Sequence, residues 1–598
     1  MASRLATRKL AIALAAFAIA VAAYPLAVPG SYPLGVGIIA GAMAAGTVGF
    51  VLLIGYAQQL ALGQAGYCMI GGYANAILCV RYGWDPLLAL LLGAGLSMAI
   101  AQILAAPILK LRGFVLAMAS LALHLILIVA ALEAEFTGGA LGTYGVPKFA
   151  ILGLHLDSDL AFYAVVWLFV LAALAIGLNI DRSRIGRALK AIAASEMAAT
   201  SVGIDITRYK AQMFVVSAAM ASVSGSLAVH FLRAMDPNVF GFSYSLNLIT
   251  AVIVGGLTSI WGGALGAAAV TGLREALRGL SLPLWESVIM GGLTIVVLIA
   301  FPRGLAGMIA DAFERVVGDR QARRATGVAG EPAALARIPD APAPGTPLLE
   351  VSGATRAFGR LLAVSEASFT IPAGCIAALI GPNGAGKTTM FNLICGYQPF
   401  DRGTATFDGR RIDRLLPNEV AHRGIGRTFQ NLQLFDNLTV LENVMCGRHR
   451  LMSAGLVEIA ARMPKVGREE AAAERAARDC LRFVGLQGAE ALAPSALAFG
   501  HQRLVEIARA LASQPRLLLM DEPASGLNDS ETENLAELIL RISALGITVL
   551  LVEHDMRLVM GLADHLIVMH HGEKIADGPV DQVRADPQVV SAYLGAAA

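Results

Sequence analysis

The first chemistry legible in this chain is an octapeptide, GPNGAGKT at 381–388. Gly381, Gly384 and Gly386 let a backbone wrap closely around phosphates, and N–H groups opening a following helix face their negative charge. Pro382, Asn383 and Ala385 complete the loop. Lys387 is placed to reach the outer phosphates, the Thr388 hydroxyl suits Mg2+, and Thr389 adds to the nucleotide-holding turn. The apolar run IAALI ahead of the loop reads as a buried strand, and this strand–turn–helix context makes the pattern specific. Further on, LLLMDEP (517–523) is an apolar strand ending in two carboxylates. Asp521 suits the metal, and Glu522 is placed to polarise an attacking water as general base. His554 closes the apolar strand ITVLLVEH and can sense a γ-phosphate. Phe358, 23 residues before Gly381, can stack on adenine. Gln430, within GRTFQNLQLF, is a candidate for metal or water contact at a domain interface. Each residue alone also fits a structural role, but together in this order they describe a hydrolase that uses ATP and Mg2+.

These residues sit behind about 300 strongly apolar ones. The chain has 598 residues, 56% hydrophobic and 15% charged, against about 25% charged in soluble domains. The shortfall lies in the N-terminal half. A net charge of +2 is too small to suggest a nucleic-acid partner. The six cysteines have neither CxxC pairing nor metal spacing and read as small buried apolar residues.

A bilayer core about 30 Å thick needs roughly 20 apolar helical residues. Ten candidate spans follow from this: 10–29, 34–56, 63–80, 87–109, 113–132, 160–178, 211–232, 244–260, 263–280 and 285–301. Arg4, Arg8 and Lys9 before the first could mark a signal peptide, but the apolar run is long enough to span and reads as a retained helix. The third and eighth are short and glycine-rich and also fit re-entrant segments. With ten spans, the basic clusters (the N-terminus, Lys110 and Arg112, Arg182 to Lys190, Arg208 and Lys210, Arg303 onward) share one side. The loop 133–159, with Glu133, Glu135, Asp157 and Asp159, takes the other, as the positive-inside rule requires. Glycine and alanine in the spans suit close helix packing. Gln64, Asn75, Gln102, His124 and Asn247 are polar candidates within them. A lone His124 fits a neutral hydrogen-bonded group as well as a functional one, and no acidic series suggests ion drive.

Two stretches connect the halves. The sequence GRALKAIAASEMAATSVGIDITRYK (186–210) is too polar to span and too patterned for a linker, and reads as a coupling helix docking on a motor domain. Pro332, Pro339, Pro342, Pro344 and Pro347 mark an extended spacer. It is preceded by Arg315, Arg320, Arg323 and Arg324, which suit an anionic membrane surface.

The C-terminal half resembles the ATPase subunit of ATP-binding-cassette (ABC) transporters, and the whole chain resembles the branched-chain (hydrophobic) amino acid uptake group. On the ATPase side the likeness rests on GIGRTFQNLQLF, both nucleotide motifs, VEHDM and the closing VVSAYLG (589–595). On the permease side it rests on LALGQAGYCMIGGY (60–73), LRGFVLAMASL (111–121), TGGALGTYGVP (137–147), the 186–210 stretch and FPRGL (301–305). The resemblance implies a polytopic α-helical permease domain (1–310), a cytoplasmic linker (311–347) and an α/β P-loop ATPase domain with a helical subdomain (348–598). It implies ATP-driven import of branched-chain or related hydrophobic amino acids across a bacterial inner membrane, with the ATPase domain and both termini cytoplasmic. Import of urea, amides or aromatic acids, or export, are the alternatives. Expected partners are a second permease and ATPase subunit (a paralogue or a second copy), an extracytoplasmic solute-binding protein, membrane lipid and a small amino-acid-like substrate. The family signature LSGGQ appears here as Leu497-Ala498-Phe499-Gly500-His501. In the family it completes the opposing domain's ATP site. A hydroxyl bond to phosphate is worth about 1.5–3 kcal/mol, so Ala498 in place of Ser, with His501 in place of Gln, predicts a working but asymmetric pair of sites rather than an inactive partner site, with the Gly500 N–H still available.

Overall fold

A computed structural model describes residues 2–108, 111, 113–280, 285–301, 303–317, 332–337 and 342–594. Lys110, Arg112, Arg320, Arg323, Arg324, Pro339 and Gly595 lie outside them, as does the side chain of Arg315. The chain forms two compact units. The first holds Met1–Leu189, Thr207–Asp319 and Leu456–Arg462, and the second holds Lys190–Ile206, Arg320–Gly455 and Met463–Ala598.

The first unit is helical, and a helix covers each predicted span. Among the described residues, five helices are long and apolar enough to cross a bilayer: Ser31–Tyr56, Pro86–Pro107, Phe114–Glu133, Asp159–Asp181 and Ile206–Leu232. A sixth is reached if Val288–Ala300 and Gly304–Ala312, bent by 45°, count as one span. Ten crossings are therefore not confirmed. The physical reason is length and polarity: Phe242–Gly255 has 14 residues, about 21 Å at 1.5 Å per residue. Gln64–Tyr82 carries buried Gln64 and Asn75. Asp159–Asp181 begins where Ser158 accepts a hydrogen bond from the Ala161 N–H at 3.1 Å, with Asp159 in the first turn.

Small residues set the packing. A Cβ on Gly263 would stand 2.8 Å from backbone atoms of Val48, and the Thr47 hydroxyl donates to the Gly263 carbonyl at 2.8 Å. Helices Ser31–Val51 and Ile260–Gly279 thus meet nearly backbone to backbone. His124 meets the Phe240 carbonyl at 2.8 Å and the Ser245 hydroxyl at 3.2 Å. Gln64 donates to the Ser217 hydroxyl at 2.7 Å, and Asn75 pairs with His230 at 2.8 Å. Gln102, in contrast, is exposed on its helix.

The second unit is built on two sheets. Its strands are β1 (Pro347–Phe358), β2 (Leu361–Pro372), β3 (Ile376–Ile380), β4 (Arg402–Phe407), β5 (Arg410–Arg411), β6 (Ile425–Arg427), β7 (Leu517–Asp521), β8 (Thr548–Val552), β9 (His565–His570) and β10 (Glu573–Pro579). The main sheet runs β6-β7-β8-β3-β9-β10, parallel except for the β9–β10 pair, and an antiparallel sheet runs β2-β1-β4-β5. Strands β3, β7 and β8 are buried throughout, as apolar runs covered on both faces should be. Alternate residues feed separate cores: Leu518, Met520, Val549 and Leu551 face one, and Leu517, Leu519, Leu550 and Val552 the other. Helices Val440–Gly447, Pro464–Phe483 and Phe499–Ala512 contribute to the first of these cores. The first of them starts at a reciprocal Thr439–Glu442 capping box.

The described part of the proline-rich stretch, 332–337, has no helix or strand but is anchored. The Ala333 N–H donates to the Arg482 carbonyl at 3.1 Å, Arg541 donates to the Ala333 carbonyl at 3.2 Å, and Leu335 packs on the core. In the first unit, Gly263→Val is expected to cost about 1–3 kcal/mol by overpacking, read as a lower melting temperature in detergent. Unchanged melting would refute the backbone contact.

Candidate functional site

The carboxyl ends of β3, β7 and β8 point to one edge of the main sheet, where open α/β sheets bind ligands. The chain leaves β3 at Gly381 and enters helix Lys387–Ile394 through Gly386, whose φ is 97°. A Cβ on Gly386 would collide with the Ala363 carbonyl, so this turn requires glycine. The Ala385 N–H donates to the Pro382 carbonyl at 3.1 Å, and the Ala385 carbonyl accepts from the Gly572 N–H at 3.1 Å. Lys387 Nζ crosses the loop, donating to the Gly381 and Pro382 carbonyls at 2.8 and 3.0 Å. Burial lowers the Lys387 pKa, and Glu522 and Asp521 oppose that shift. Asn383, Gly384 and Thr388 are exposed, and Thr389 is half-buried.

Asp521 ends β7 with its side chain 4% exposed. One oxygen, Oδ2, accepts from Arg427 at 3.3 Å, while Oδ1 is buried with no hydrogen-bond partner. Burial raises the Asp521 pKa, and the Arg427 guanidinium works against that rise. Arg427 is held in turn by Asn392 Oδ1 at 2.8 Å and by the rings of Tyr397 and Phe429, 5.2 and 5.1 Å from its guanidinium carbon. Glu522 has φ 45°, a left-handed conformation rare outside glycine. Its N–H donates to the Val552 carbonyl at 2.9 Å, and its Oε2 accepts from Gln430 Nε2 at 2.9 Å. His554 Nδ1 lies 3.9 Å from Glu522 Oε2, with the ring largely exposed.

The structure therefore brings together the 381–389 loop, Asp521, Glu522, Gln430 and His554. Phe358 ends β1, 42% exposed, with the Arg356 guanidinium 5.0 Å from its ring. Gly500 opens helix Phe499–Ala512 behind Ala498, which gives no side-chain cap. A Cβ there would come within 2.7 Å of Glu531 Oε1. Sequence reasoning missed Arg427, Asn392 and Glu553. Glu553 is 1% exposed, and its carboxylate accepts from the Ala524 N–H at 2.9 Å and the His554 N–H at 3.2 Å. It thereby joins the segment after Glu522 to His554. The position of Glu553 beside His554 in VEHD was its available signal.

Strand order, phosphate loop and carboxylate pair define an ABC-type ATPase attached to a helical membrane unit. Residues 364–525 match the ABC transporter family, 33–298 the branched-chain amino acid transport system permease component, and 573–598 the branched-chain amino acid ATP-binding cassette transporter family. A high-affinity branched-chain amino acid transport ATP-binding protein of Pseudomonas aeruginosa is 42% identical, spanning 42% of this chain and 99% of its own length. One from Escherichia coli is 40% identical over the same shares. A probable one from Methanocaldococcus jannaschii is 34% identical, over 42% of this chain and 97% of its own length. The chain belongs to the branched-chain amino acid ABC transporter family, with permease and ATPase fused in one polypeptide. It is a membrane protein that binds ATP and couples its hydrolysis to transport.

Two outcomes test this geometry. Arg427 stabilises the charged form of Asp521, so Arg427→Met raises the Asp521 pKa further. The acid limb of the ATPase pH profile is then expected to move upward by about one pH unit or more, and an unmoved limb refutes the pairing. Ala498→Ser restores a helix cap worth about 1 kcal/mol and is expected to quicken hydrolysis in purified protein. A rate no higher than wild type means the backbone N–H groups suffice.

Proposed function

We propose that this chain is the permease and ATPase of a bacterial inner-membrane importer for branched-chain or related hydrophobic amino acids. The observation that carries the reading is the joint presence of a permease-family segment at 33–298 and an ATPase half like the Pseudomonas aeruginosa transport protein. That assignment favours import over export and branched-chain substrates over urea, amides or aromatic acids. A second permease and ATPase, from a paralogue or another copy, would complete the transporter, and an extracytoplasmic binding protein would deliver the solute. The domains are taken as 1–310, 311–347 and 348–598, with the ATPase and both termini in the cytoplasm.

In this reading the 381–389 loop holds the phosphates with its N–H groups, Lys387 neutralises the outer ones, and the exposed Phe358 ring receives adenine. The donor set fits Mg2+. Thr388 offers an exposed hydroxyl and Asp521 an orphaned oxygen. The ion would share its shell with phosphates and water. The ion would neutralise charge on the transferring phosphate. Glu522 takes the proton from the attacking water, Gln430 fixes the Glu522 carboxylate at 2.9 Å, and His554 contacts the γ-phosphate. The Gly500 N–H would close the partner's site.

Reconstitution with partner subunits and binding protein in liposomes, followed by radiolabelled leucine uptake, tests this function. Glu522→Gln is expected to abolish ATP-dependent uptake and slow hydrolysis by about 10²-fold or more. Leucine uptake in that variant at the wild-type rate would overturn the assignment.

A further inference from the structure

Within the first unit, helix Gln64–Tyr82 lies against helix Ile206–Leu232 along one face of each. Gln64, Cys68, Gly71 and Asn75 recur at intervals of three and four residues and so share that face. Their contacts advance together on the two helices. Gln64 donates to the Ser217 hydroxyl at 2.7 Å. The Ser226 hydroxyl donates to the Gly71 carbonyl at 3.0 Å, and Asn75 meets His230 at 2.8 Å. A Cβ on Gly71 would collide with the Ser222 carbonyl, and one on Gly225 with the Cys68 carbonyl. The helices therefore touch almost backbone to backbone between 64 and 75. That is about 17 Å at 1.5 Å per residue, roughly half of a bilayer core.

Two hydroxyls buried at this seam are left over. Tyr67 is 3% exposed, and its ring meets Phe214 edge-on at 5.8 Å. Ser222 is buried, its Oγ aimed at the place a Gly71 side chain would occupy. Neither oxygen has a hydrogen-bond partner among the described residues. Close packing accounts for the glycines but not for these hydroxyls, since phenylalanine and alanine would pack there and strand no polar atom. Polar side chains facing the interior of a membrane bundle mark routes for solute. The composition of the seam narrows the solute: residues 64–75 and 211–230 hold no Asp, Glu, Lys or Arg.

We propose that this seam is a solute path, and that when its helices separate the Tyr67 and Ser222 hydroxyls, with the Gln64 amide, hold the ammonium and carboxylate of a zwitterionic amino acid. A hydroxyl accepts from an ammonium and donates to a carboxylate, so each serves either end of the solute. A zwitterion has no net charge to match. A cationic or anionic amino acid would be buried in this seam with its extra charge unpaired, which is costly. The proposal rests on the importer reading above.

The test uses the full chain with its partner subunits and binding protein in liposomes. Radiolabelled leucine uptake is followed beside ATP hydrolysis and melting temperature. Tyr67→Phe and Ser222→Ala each delete one oxygen that bonds nothing in the closed seam. Each is expected to lower uptake by about tenfold or more, the worth of a hydrogen bond to a charged group. Hydrolysis is expected to keep its wild-type rate, and the melting temperature is expected not to fall. If one variant does not fold, the other decides. Uptake at the wild-type rate overturns the path. Lower uptake that comes with a lower melting temperature also overturns it, leaving the hydroxyls a structural role. So does uptake lost together with hydrolysis, because the fault then lies at the motor. A wild type that moves no leucine overturns the importer reading, and the path with it.

Discussion

The carboxylate of Asp521 stands at the end of a buried strand, and it is tolerable there only because Arg427 faces it at 3.3 Å. Burying an ion costs several kcal/mol unless it is matched and hydrogen-bonded. Arg427 carries the same penalty, and its solution is an enclosure of Asn392, Tyr397 and Phe429. Those partners lie on the segments that follow the phosphate loop and precede Gln430. Matching one buried charge therefore fixes the mutual positions of the loop helix, β6 and β7. Tyr397 extends the arrangement, since its hydroxyl donates to the Met197 carbonyl at 2.8 Å and meets Thr200 at 3.2 Å.

Elsewhere the constraint is proximity rather than charge. The first unit brings backbones together at Gly263 and Val48, where a methyl group would not fit. It also takes Leu456–Arg462 from the second half of the sequence, and Asn179 donates to the Ala460 carbonyl at 2.9 Å. The second unit takes Lys190–Ile206 in return, held by Ser195, Tyr397, Asn437 and the bond from His422 to the Gly203 carbonyl at 3.1 Å. Each unit thus contains a piece whose neighbours in sequence belong to the other.

The residues proposed to hold nucleotide were legible because phosphate chemistry demands particular residue types at fixed spacing, and Gly381 to Thr389, Asp521, Glu522, Gln430 and His554 lie together in the structure. The buried charges were not legible in the same way. A helix reading RLVEIAR looks solvated from sequence, and only the close approach of 429–433 makes Arg503, Glu506 and Arg509 interior. Ten crossings are not confirmed, because a hydropathy window registers apolar residues but not where a helix stops, as at Gly255. Gln102 lies within a predicted span and is exposed there, since sequence gives the span but not its facing. The 186–210 stretch is too polar to span, and of it Lys190–Ile206 falls in the second unit.

The relatives from Pseudomonas aeruginosa and Escherichia coli match over nearly their whole length and only 42% of this chain, so they are ATP-binding polypeptides without a permease half. In this chain the Ser195–Gln433 and Asn437–Lys190 bonds join two parts of one covalent molecule. Their formation is then governed by an effective concentration set by the connecting chain, on the order of millimolar for short flexible connections. Dilution, subunit exchange and unequal synthesis of the two halves do not act on such contacts. Fusion fixes one ATPase half per permease half in every copy of the chain.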